Sequence, residues 1–307
     1  MEWLLVQPFF LYPIPKQNYF IISQRVEMEI TASMVKELRD KTGAGMMDCK
    51  KALNENDGDM EKAIEYLRKK GAATAEKRAD RSADEGVVLT SIDNGKGVMV
   101  EVNCETDFVA RSDDFLAFAN RALDLVKSQN PADVDALMDM DADGLKMSEL
   151  LQETIGKIGE KIEVRRFATF ASDGTLIDYI HPGAKLGVMM EIAGGSGDDV
   201  EKLGKDIAMQ IAAMNPVAID RDAVPQDVKD KELELYRQQA IEQGKPENML
   251  DRISEGRLNK YFQEFTLLEQ TFLRDTTKTV KEQIEAVGKD AGADLKVTRF
   301  ERFQVGG

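Results

Sequence analysis

Two short runs of the chain are near copies of each other: Gly97-Val-Met-Val-Glu-Val102 and Gly187-Val-Met-Met-Glu-Ile192. Their valine, isoleucine and methionine content is typical of buried β-strands. A second strand-like run precedes each copy, at 87–92 and at 175–180. Because the same order of elements occurs twice, the sequence predicts a duplicated core.

The residues around the two copies support the duplication. Asp93-Asn94-Gly95 joins the strands of the first pair and His181-Pro182-Gly183 joins those of the second, and both combinations are typical of turns. An amphipathic helix is predicted after each pair, and these helices end at Asn130-Pro131 and at Asn215-Pro216. The core is therefore predicted to contain two copies of a strand–turn–strand–helix unit.

Further elements are predicted between and after the two copies. Residues 147–160 indicate a helix and residues 162–170 a strand. Residues 222–265 contain two long helical runs separated by Gly-Lys-Pro, which is typical of an antiparallel helical hairpin. The last helix is expected at 278–291, and the last strand, which returns to the sheet, at 295–303.

The N-terminal region is predicted to be a bundle of three short helices. Thr31 is a good N-cap for the first helix, and Thr42-Gly43-Ala44-Gly45 ends it, because glycine adopts the left-handed conformation of a C-cap. The second helix follows from Met46, and Asp57-Gly58 forms the next turn. The third helix is expected to end at Gly71.

These elements predict an α+β fold with a three-helix N-terminal bundle, a duplicated strand–strand–helix core and an inserted helical hairpin. A linker is assigned where the chain has no large apolar residue, and its Ala, Glu, Lys and Arg content allows it helical character. The expected boundaries are a disordered tail or mis-assigned start at 1–27, the bundle at 28–71, the linker at 72–86, the first core half at 87–146, the second core half at 147–221 and 266–307, and the hairpin at 222–265.

Residues 1–27 differ from the rest of the chain because they are rich in aromatic residues and proline. They lack the basic start and the small-residue cleavage site of a signal peptide, and the prolines interrupt any run long enough to cross a membrane. A transit peptide is not expected either, since it would be rich in Arg and Ser. Whether Met1 or Met28 is the true start stays open.

The composition favours a binding protein over an enzyme. The chain has 307 residues, a formal net charge of −15, two Cys and a single His. The negative charge argues against a general nucleic-acid binder, and so few Cys and His exclude a Cys-rich zinc site or a two-His mechanism. Neither a P-loop nor a G-x-G-x-x-G motif occurs, so no cofactor is expected.

Met46 and Met47 directly follow the glycine turn of the bundle. Two adjacent helix residues cannot both face one core, so either one methionine lies at a binding surface or both are partly buried. Lys36, Arg39 and Lys50 lie near the same turn. They form either a solvated face or the polar neighbours of that binding surface.

Two long motifs carry a family resemblance. The first runs Thr31-Ala-Ser-Met-Val-Lys-Glu-Leu-Arg-Asp-Lys-Thr-Gly-Ala-Gly-Met-Met-Asp-Cys-Lys-Lys-Ala-Leu53 and resembles the opening of bacterial elongation factor Ts. The second, Val102-Asn-Cys-Glu-Thr-Asp-Phe-Val-Ala110, resembles a further signature of that family. Lys185-Leu-Gly-Val and Lys278-Thr-Val also agree with it, so the resemblance extends over 28–304.

The resemblance implies a guanine-nucleotide exchange factor for elongation factor Tu that works in the cytoplasm and makes or breaks no bond. It implies an N-terminal domain like a ubiquitin-associated (UBA) domain and, in some members, a homodimer formed through the hairpin. No direct nucleic-acid partner and no membrane are expected. Because the chain ends soon after the last strand, the extra C-terminal helical module of some members is expected to be absent.

The resemblance also implies the site residues. Thr106, Asp107, Phe108 and Val109 match the family stretch that enters near the Mg²⁺ site of the partner. From the residues alone, Phe108 would instead be buried at a strand-to-helix turn. The face that docks on the GTPase domain of the partner carries over to Lys36, Arg39, Met46, Met47 and Lys50.

Three alternatives stay open at this stage. His181 either contacts the partner or has only a structural role in its turn. A hydrolase would need a nucleophile and a base, and the only His has no Ser or Cys motif nearby. A ubiquitin-associated adaptor would use residues 28–71 alone and would not require the duplicated core.

Overall fold

The computed structural model describes residues 29–307. The predictions for 1–27 and for a start at Met28 lie outside the described residues. The described part is a mixed α+β protein with eleven α-helices and two three-stranded antiparallel sheets, which confirms the predicted class. None of the helices between residues 29 and 307 is long and apolar enough to cross a membrane.

Three helices form the N-terminal bundle: α1 (Ala32–Thr42), α2 (Met46–Glu55) and α3 (Met60–Arg78). Thr31 caps α1 by accepting a backbone amide, and Gly43 ends it in the left-handed conformation, with a φ of 65°. The helices enclose a small core of their own around Leu38, Cys49 and Leu53.

The first half of the core is built on a sheet with the strand order β1–β2–β3. Its elements are β1 (Glu85–Asp93), β2 (Lys96–Cys104), α4 (Asp107–Ala110), α5 (Asp113–Gln129), α6 (Val134–Met138), α7 (Met147–Ile158) and β3 (Ile162–Ala171). Val98, Val100 and Val102 on one face of β2 pack against the buried face of α5. Asn130 ends α5 in the left-handed conformation, as its Asn-Pro sequence suggests.

The second half repeats this arrangement with the strand order β4–β5–β6. Its elements are β4 (Thr175–Ile180), β5 (Leu186–Ala193), α8 (Asp198–Met214), the hairpin helices α9 (Gln226–Glu242) and α10 (Leu250–Phe265), α11 (Val280–Ala291) and β6 (Lys296–Gln304). Val188, Met190 and Ile192 of β5 pack against α8, which ends at a left-handed Asn215. The two copies therefore use equivalent strands and helices.

The two sheets pack face to face, and helices cover their outer faces. Met99 and Met189 of the repeated runs fill the layer between the sheets, together with Phe170 and other apolar residues. Each methionine lies over the glycine of the other copy: an added Cβ would lie 2.7 Å from the Met189 sulfur at Gly97, and 3.3 Å from the Met99 sulfur at Gly187. The repeated Gly-Val-Met pattern thus fits the two sheets together.

The third helix of the bundle does not end at Gly71 as predicted. It continues to Arg78, through the first half of the segment assigned as a linker. Residues 72–78 have high helix propensity, and α3 packs along α7 of the core. The bundle is therefore joined to the core by a continuous, packed helix.

The hairpin of α9 and α10 branches from the second half of the core. Its two ends are held together, because the Val217 amide donates to the Phe265 carbonyl and the Leu267 amide to the Ala218 carbonyl, both at 2.9 Å. A small core around Val224 packs its base. Both helices lie within 222–265, the range predicted for a helical pair.

Candidate protein-interaction surfaces

Phe108 lies on a short projection that leaves the first sheet. Strand β2 ends at Cys104, and the four-residue helix α4 begins at Asp107. We call residues Thr106–Val109 the tip. The Phe108 side chain is 83% exposed, so the interpretation that it is buried at a strand-to-helix turn is wrong.

Hydrogen bonds hold the backbone of the tip in place. The Thr106 hydroxyl donates to one carboxylate oxygen of Glu160 at 2.8 Å, and the Thr106 amide donates to the other at 3.0 Å. The same hydroxyl accepts the Val109 amide at 3.4 Å, and Asp107 pairs with Arg111 at 3.0 Å. The amide and the hydroxyl of Thr106 therefore both stabilise the tip, whereas the Phe108 side chain faces solvent.

The equivalent connection in the second copy has no aromatic residue. There, Gly194-Gly195-Ser196-Gly197 joins β5 to α8. A Cβ at Gly194 would lie only 1.9 Å from the Asp294 carbonyl oxygen, so this connection packs closely against the chain. Because the same architecture forms there without a tip, the fold itself does not require Phe108.

A second apolar surface lies between α1 and α2. It is a groove of about 650 Å³ lined by Ile30, Ala32, Val35, Lys36, Arg39, Asp40, Met46, Met47 and Lys50. Met46 is 60% exposed and Met47 is 75% exposed, so the alternative in which both are partly buried is wrong. They face outward because Cys49, Ala52 and Leu53 occupy the buried face of α2.

Positive charge surrounds this groove. Lys36, Arg39 and Lys50 are exposed, and none of them forms an ion pair with another residue between 29 and 307. Asp40 is the single acidic residue of the lining. Flexible methionines beside unpaired cations suit a partner surface that combines apolar and acidic groups.

His181 is exposed in the turn between β4 and β5, where its Nδ1 lies 2.9 Å from the Tyr179 hydroxyl. In the same turn, Lys185 pairs with Glu85 of the first sheet. Glu85 is the register partner of Cys104, the last residue of β2. The structure therefore places His181 at the end of the core from which the tip emerges.

Neither cysteine is exposed at these surfaces. Cys49 and Cys104 are both fully buried. Burial, reinforced by the negative charge of Glu160, raises the pKa of the Cys104 thiol to about 12, so this thiol stays protonated. In the part of the chain that the structure describes, no three His, Cys, Asp or Glu side chains are grouped to hold a metal ion.

Sequence reasoning missed the residues that support the tip. One of these residues is Glu160, which binds Thr106. The others are Glu105, Arg78 and Arg81, and we call these three residues the Glu105 bracket. Glu105 accepts hydrogen bonds from Arg78 at 2.8 Å and from Arg81 at 3.0 Å. No sequence signal identifies these pairs, because the two arginines lie 27 and 24 residues from Glu105, in a segment where basic and acidic residues alternate.

The fold and these surfaces define a class: an α+β protein whose core presents an exposed aromatic tip and whose helical bundle presents a cation-edged apolar groove. Comparison with known proteins narrows the class. A family model described as Elongation factor TS matches residues 105–307.

Curated relatives match almost their whole length. Elongation factor Ts of Chloroherpeton thalassium is 48% identical over 285 residues, which cover 91% of this chain and 99% of the relative. Elongation factor Ts of Thioalkalivibrio sulfidiphilus is 50% identical over 283 residues, covering 91% and 93%. The chain belongs to the elongation factor Ts family, and the resemblance seen in its two motifs is confirmed. It is a translation elongation factor.

Proposed function

We propose that the protein is a guanine-nucleotide exchange factor that binds elongation factor Tu carrying GDP and promotes release of the GDP. The observation that carries this proposal is the 83% exposure of Phe108 on an anchored tip. An aromatic residue held in place before binding loses little conformational entropy on contact, which is typical of binding hot spots. The protein makes and breaks no bond, so it is not an enzyme in that sense.

In this mechanism the tip acts on the Mg²⁺ of the partner. That ion bridges the nucleotide phosphates to the GTPase, and it requires near-ideal octahedral geometry with ordered waters. Phe108, together with Val109, displaces partner side chains around the ion, and Asp107 disturbs the polar network that holds its waters. Once the ion is lost, GDP binds more weakly.

The helical bundle supplies the second contact, as a UBA-like domain that docks on the GTPase domain. Met46 and Met47 provide an adaptable apolar surface. The flanking cations of the groove, Lys36, Arg39 and Lys50, provide polar contacts. His181 lies at the same end of the core as the tip, and we assign it a contact with the same partner.

Exchange follows from thermodynamic linkage between the two molecules that bind the GTPase, the nucleotide and the exchange factor. The factor binds the empty GTPase more tightly than the loaded one. By thermodynamic reciprocity, the factor loosens GDP to the same degree that nucleotide loosens the factor. The nucleotide-free complex then persists until GTP binds and releases the factor.

We also propose that the protein forms a homodimer through the hairpin. Leu235, Ile241 and Met249 are between 43% and 55% exposed on the hairpin, and we assign them to contact with a second copy. Sedimentation of the full chain measures that association.

We propose that nucleotide exchange takes place in the cytoplasm. The factor makes no direct contact with nucleic acid, because its net charge of −15 disfavours such contact.

The test is release of labelled GDP from purified elongation factor Tu, with and without this protein. We expect substoichiometric protein to accelerate the release. No acceleration at micromolar protein would overturn the proposed function. The same assay separates the alternatives, because neither a hydrolase nor a ubiquitin-associated adaptor would change the rate of GDP release.

A further inference from the structure

The chain enters the tip through Glu105, whose carboxylate is held from three directions. Arg78 and Arg81 donate to it at 2.8 and 3.0 Å, and the backbone amide of Lys161 donates at 2.7 Å. Burial alone would raise the pKa of Glu105, but these hydrogen bonds outweigh it and lower the pKa to about 2. The carboxylate is therefore charged throughout the physiological pH range.

We propose that Arg78 and Arg81 are positioning residues for nucleotide exchange, which through Glu105 fix the direction in which the tip presents Phe108. This inference rests on the proposed function. Glu105 is the residue immediately before Thr106, so any movement of its anchored side chain is passed to the first residue of the tip. Glu160 holds Thr106 from the other side.

The bracket also connects the tip to the helical bundle. Arg78 is the last residue of α3, and the first turns of that helix pack in the core of the bundle. A single helix thus runs from the bundle that carries the groove to the carboxylate that anchors the tip. A partner docked in the groove would meet the tip at a fixed position, without first having to order it.

Such positioning has a measurable consequence. A contact residue that is ordered before binding avoids the free-energy cost of ordering it in the complex. Loss of the bracket is expected to increase the freedom of the tip while leaving the groove intact. Exchange should therefore slow at saturating partner, whereas the affinity for the partner should change little.

The first experiment uses the full chain with Glu105→Gln, which keeps the size of the side chain and removes the charge that holds both arginines. In steady-state GDP exchange, we expect kcat to fall about tenfold and the KM for elongation factor Tu to change by less than about twofold. Arg78→Gln should cause a similar loss, and Arg78→Lys should recover part of it. The double variant Arg78→Gln/Glu105→Gln should be no slower than Glu105→Gln alone.

Asp206→Asn is the matched control. Asp206 pairs with an arginine, Arg274, at 2.9 Å, as Glu105 does with Arg78. The two carboxylate side chains are similarly exposed, 21% for Asp206 and 18% for Glu105. Asp206 lies on α8 in the second half of the core, whereas the tip belongs to the first half. We expect this control to leave kcat and KM unchanged.

A second measurement needs no partner. Trp3 is the only tryptophan of the chain, so Phe108→Trp in a Trp3→Phe background places a single fluorophore at the tip. We expect time-resolved anisotropy to show a larger nanosecond amplitude when Glu105→Gln is added, and no change when Asp206→Asn is added.

The two measurements separate failure of the inference from failure of the proposed function. If the unmodified protein does not accelerate GDP release, the proposed function fails, while the anisotropy still tests whether the bracket orders the tip. The inference is overturned if Glu105→Gln leaves both kcat and anisotropy unchanged. It is also overturned if kcat falls only in proportion to a loss of folded protein.

Discussion

A large aromatic side chain in water is unfavourable, since burying a phenylalanine stabilises a protein by about 1.5–3 kcal/mol. Phe108 nevertheless stays 83% exposed. The hydrogen bonds that hold the tip, between Thr106 and Glu160, do not involve its ring. The free energy of burying Phe108 is therefore available to a partner and is not used by the fold.

Phe108→Ala should therefore separate exchange from stability. We expect the rate of GDP release from elongation factor Tu to fall tenfold or more, on the order typical of a binding hot spot. The free energy of unfolding in urea should change by less than about 0.5 kcal/mol, as for other exposed positions. Leu273→Ala, at a 49% exposed residue of the second core half, is the control and should change neither quantity. A drop in stability typical of a core substitution would contradict this prediction.

Exposure of single residues could be predicted from the sequence only where geometry forces it. Met46 and Met47 are adjacent on a helix, so exposure of one of them follows from the helical period alone. The exposure of Phe108 does not follow from any period, because the tip interrupts the alternation of β2 before α5 begins. The partners of Glu105 are set by tertiary packing and have no local signal.

Among the elements, the crossing of α3 and α7 shows how the bundle is attached. A Cβ at Gly71 would lie 2.7 Å from the Gln152 carbonyl oxygen, and one at Gly156 would lie 2.9 Å from the Gly71 Cα. The two helices therefore touch backbone to backbone. Arg68 and Glu153 pair beside the crossing at 2.8 Å. The sequence predicted a helix end at Gly71, but this residue lies inside α3. Its lack of a side chain allows the two helices to approach this closely.

Gly71→Ala is expected to weaken that attachment. Alanine improves helix propensity by about 1 kcal/mol, but forcing a methyl group against the facing backbone costs about 1–3 kcal/mol. We expect a net loss of about 1 kcal/mol in the free energy of unfolding in urea. Gly256→Ala in α10 is the control, because a Cβ there meets nothing within 4 Å and should stabilise by up to about 1 kcal/mol. Equal stabilisation by both changes would show that the crossing is loose.

Elements with a clear period or a clear end signal could be predicted accurately. β4 occupies the predicted 175–180, and α5 and α8 end at the expected asparagines. The five-residue helix α6 was missed because it is too short to show a period. Beyond Gly71 the sequence indicated only helical character, whereas α3 continues to Arg78 because its helix-forming residues there also pack along α7.

At the scale of the whole molecule, two reciprocal contacts join the copies. Arg166 of β3 pairs with Glu101 at 2.7 Å, lies 4.3 Å from the centroid of the Phe303 ring and donates to the Gln304 carbonyl at 3.4 Å, so it reaches from the first sheet to the second. Arg299 of β6 makes the equivalent contacts in the opposite direction, with Glu191, Phe170 and Ala171. Neither sheet can open without breaking contacts of the other.

The two copies should therefore unfold as one unit, and Arg166→Met tests this. Glu101 is fully buried, so removing its partner should lower the free energy of unfolding by about 3 kcal/mol. Native-state hydrogen exchange should show the same loss of protection in β2, which pairs with β3, and in β5, which does not. Arg165→Met is the control, because its pair with Glu163 is long, at 3.8 Å, and half-exposed, and should matter by less than about 0.5 kcal/mol. Loss of protection confined to β2 would mean that the copies open independently, and that the contacts between the sheets do not couple them.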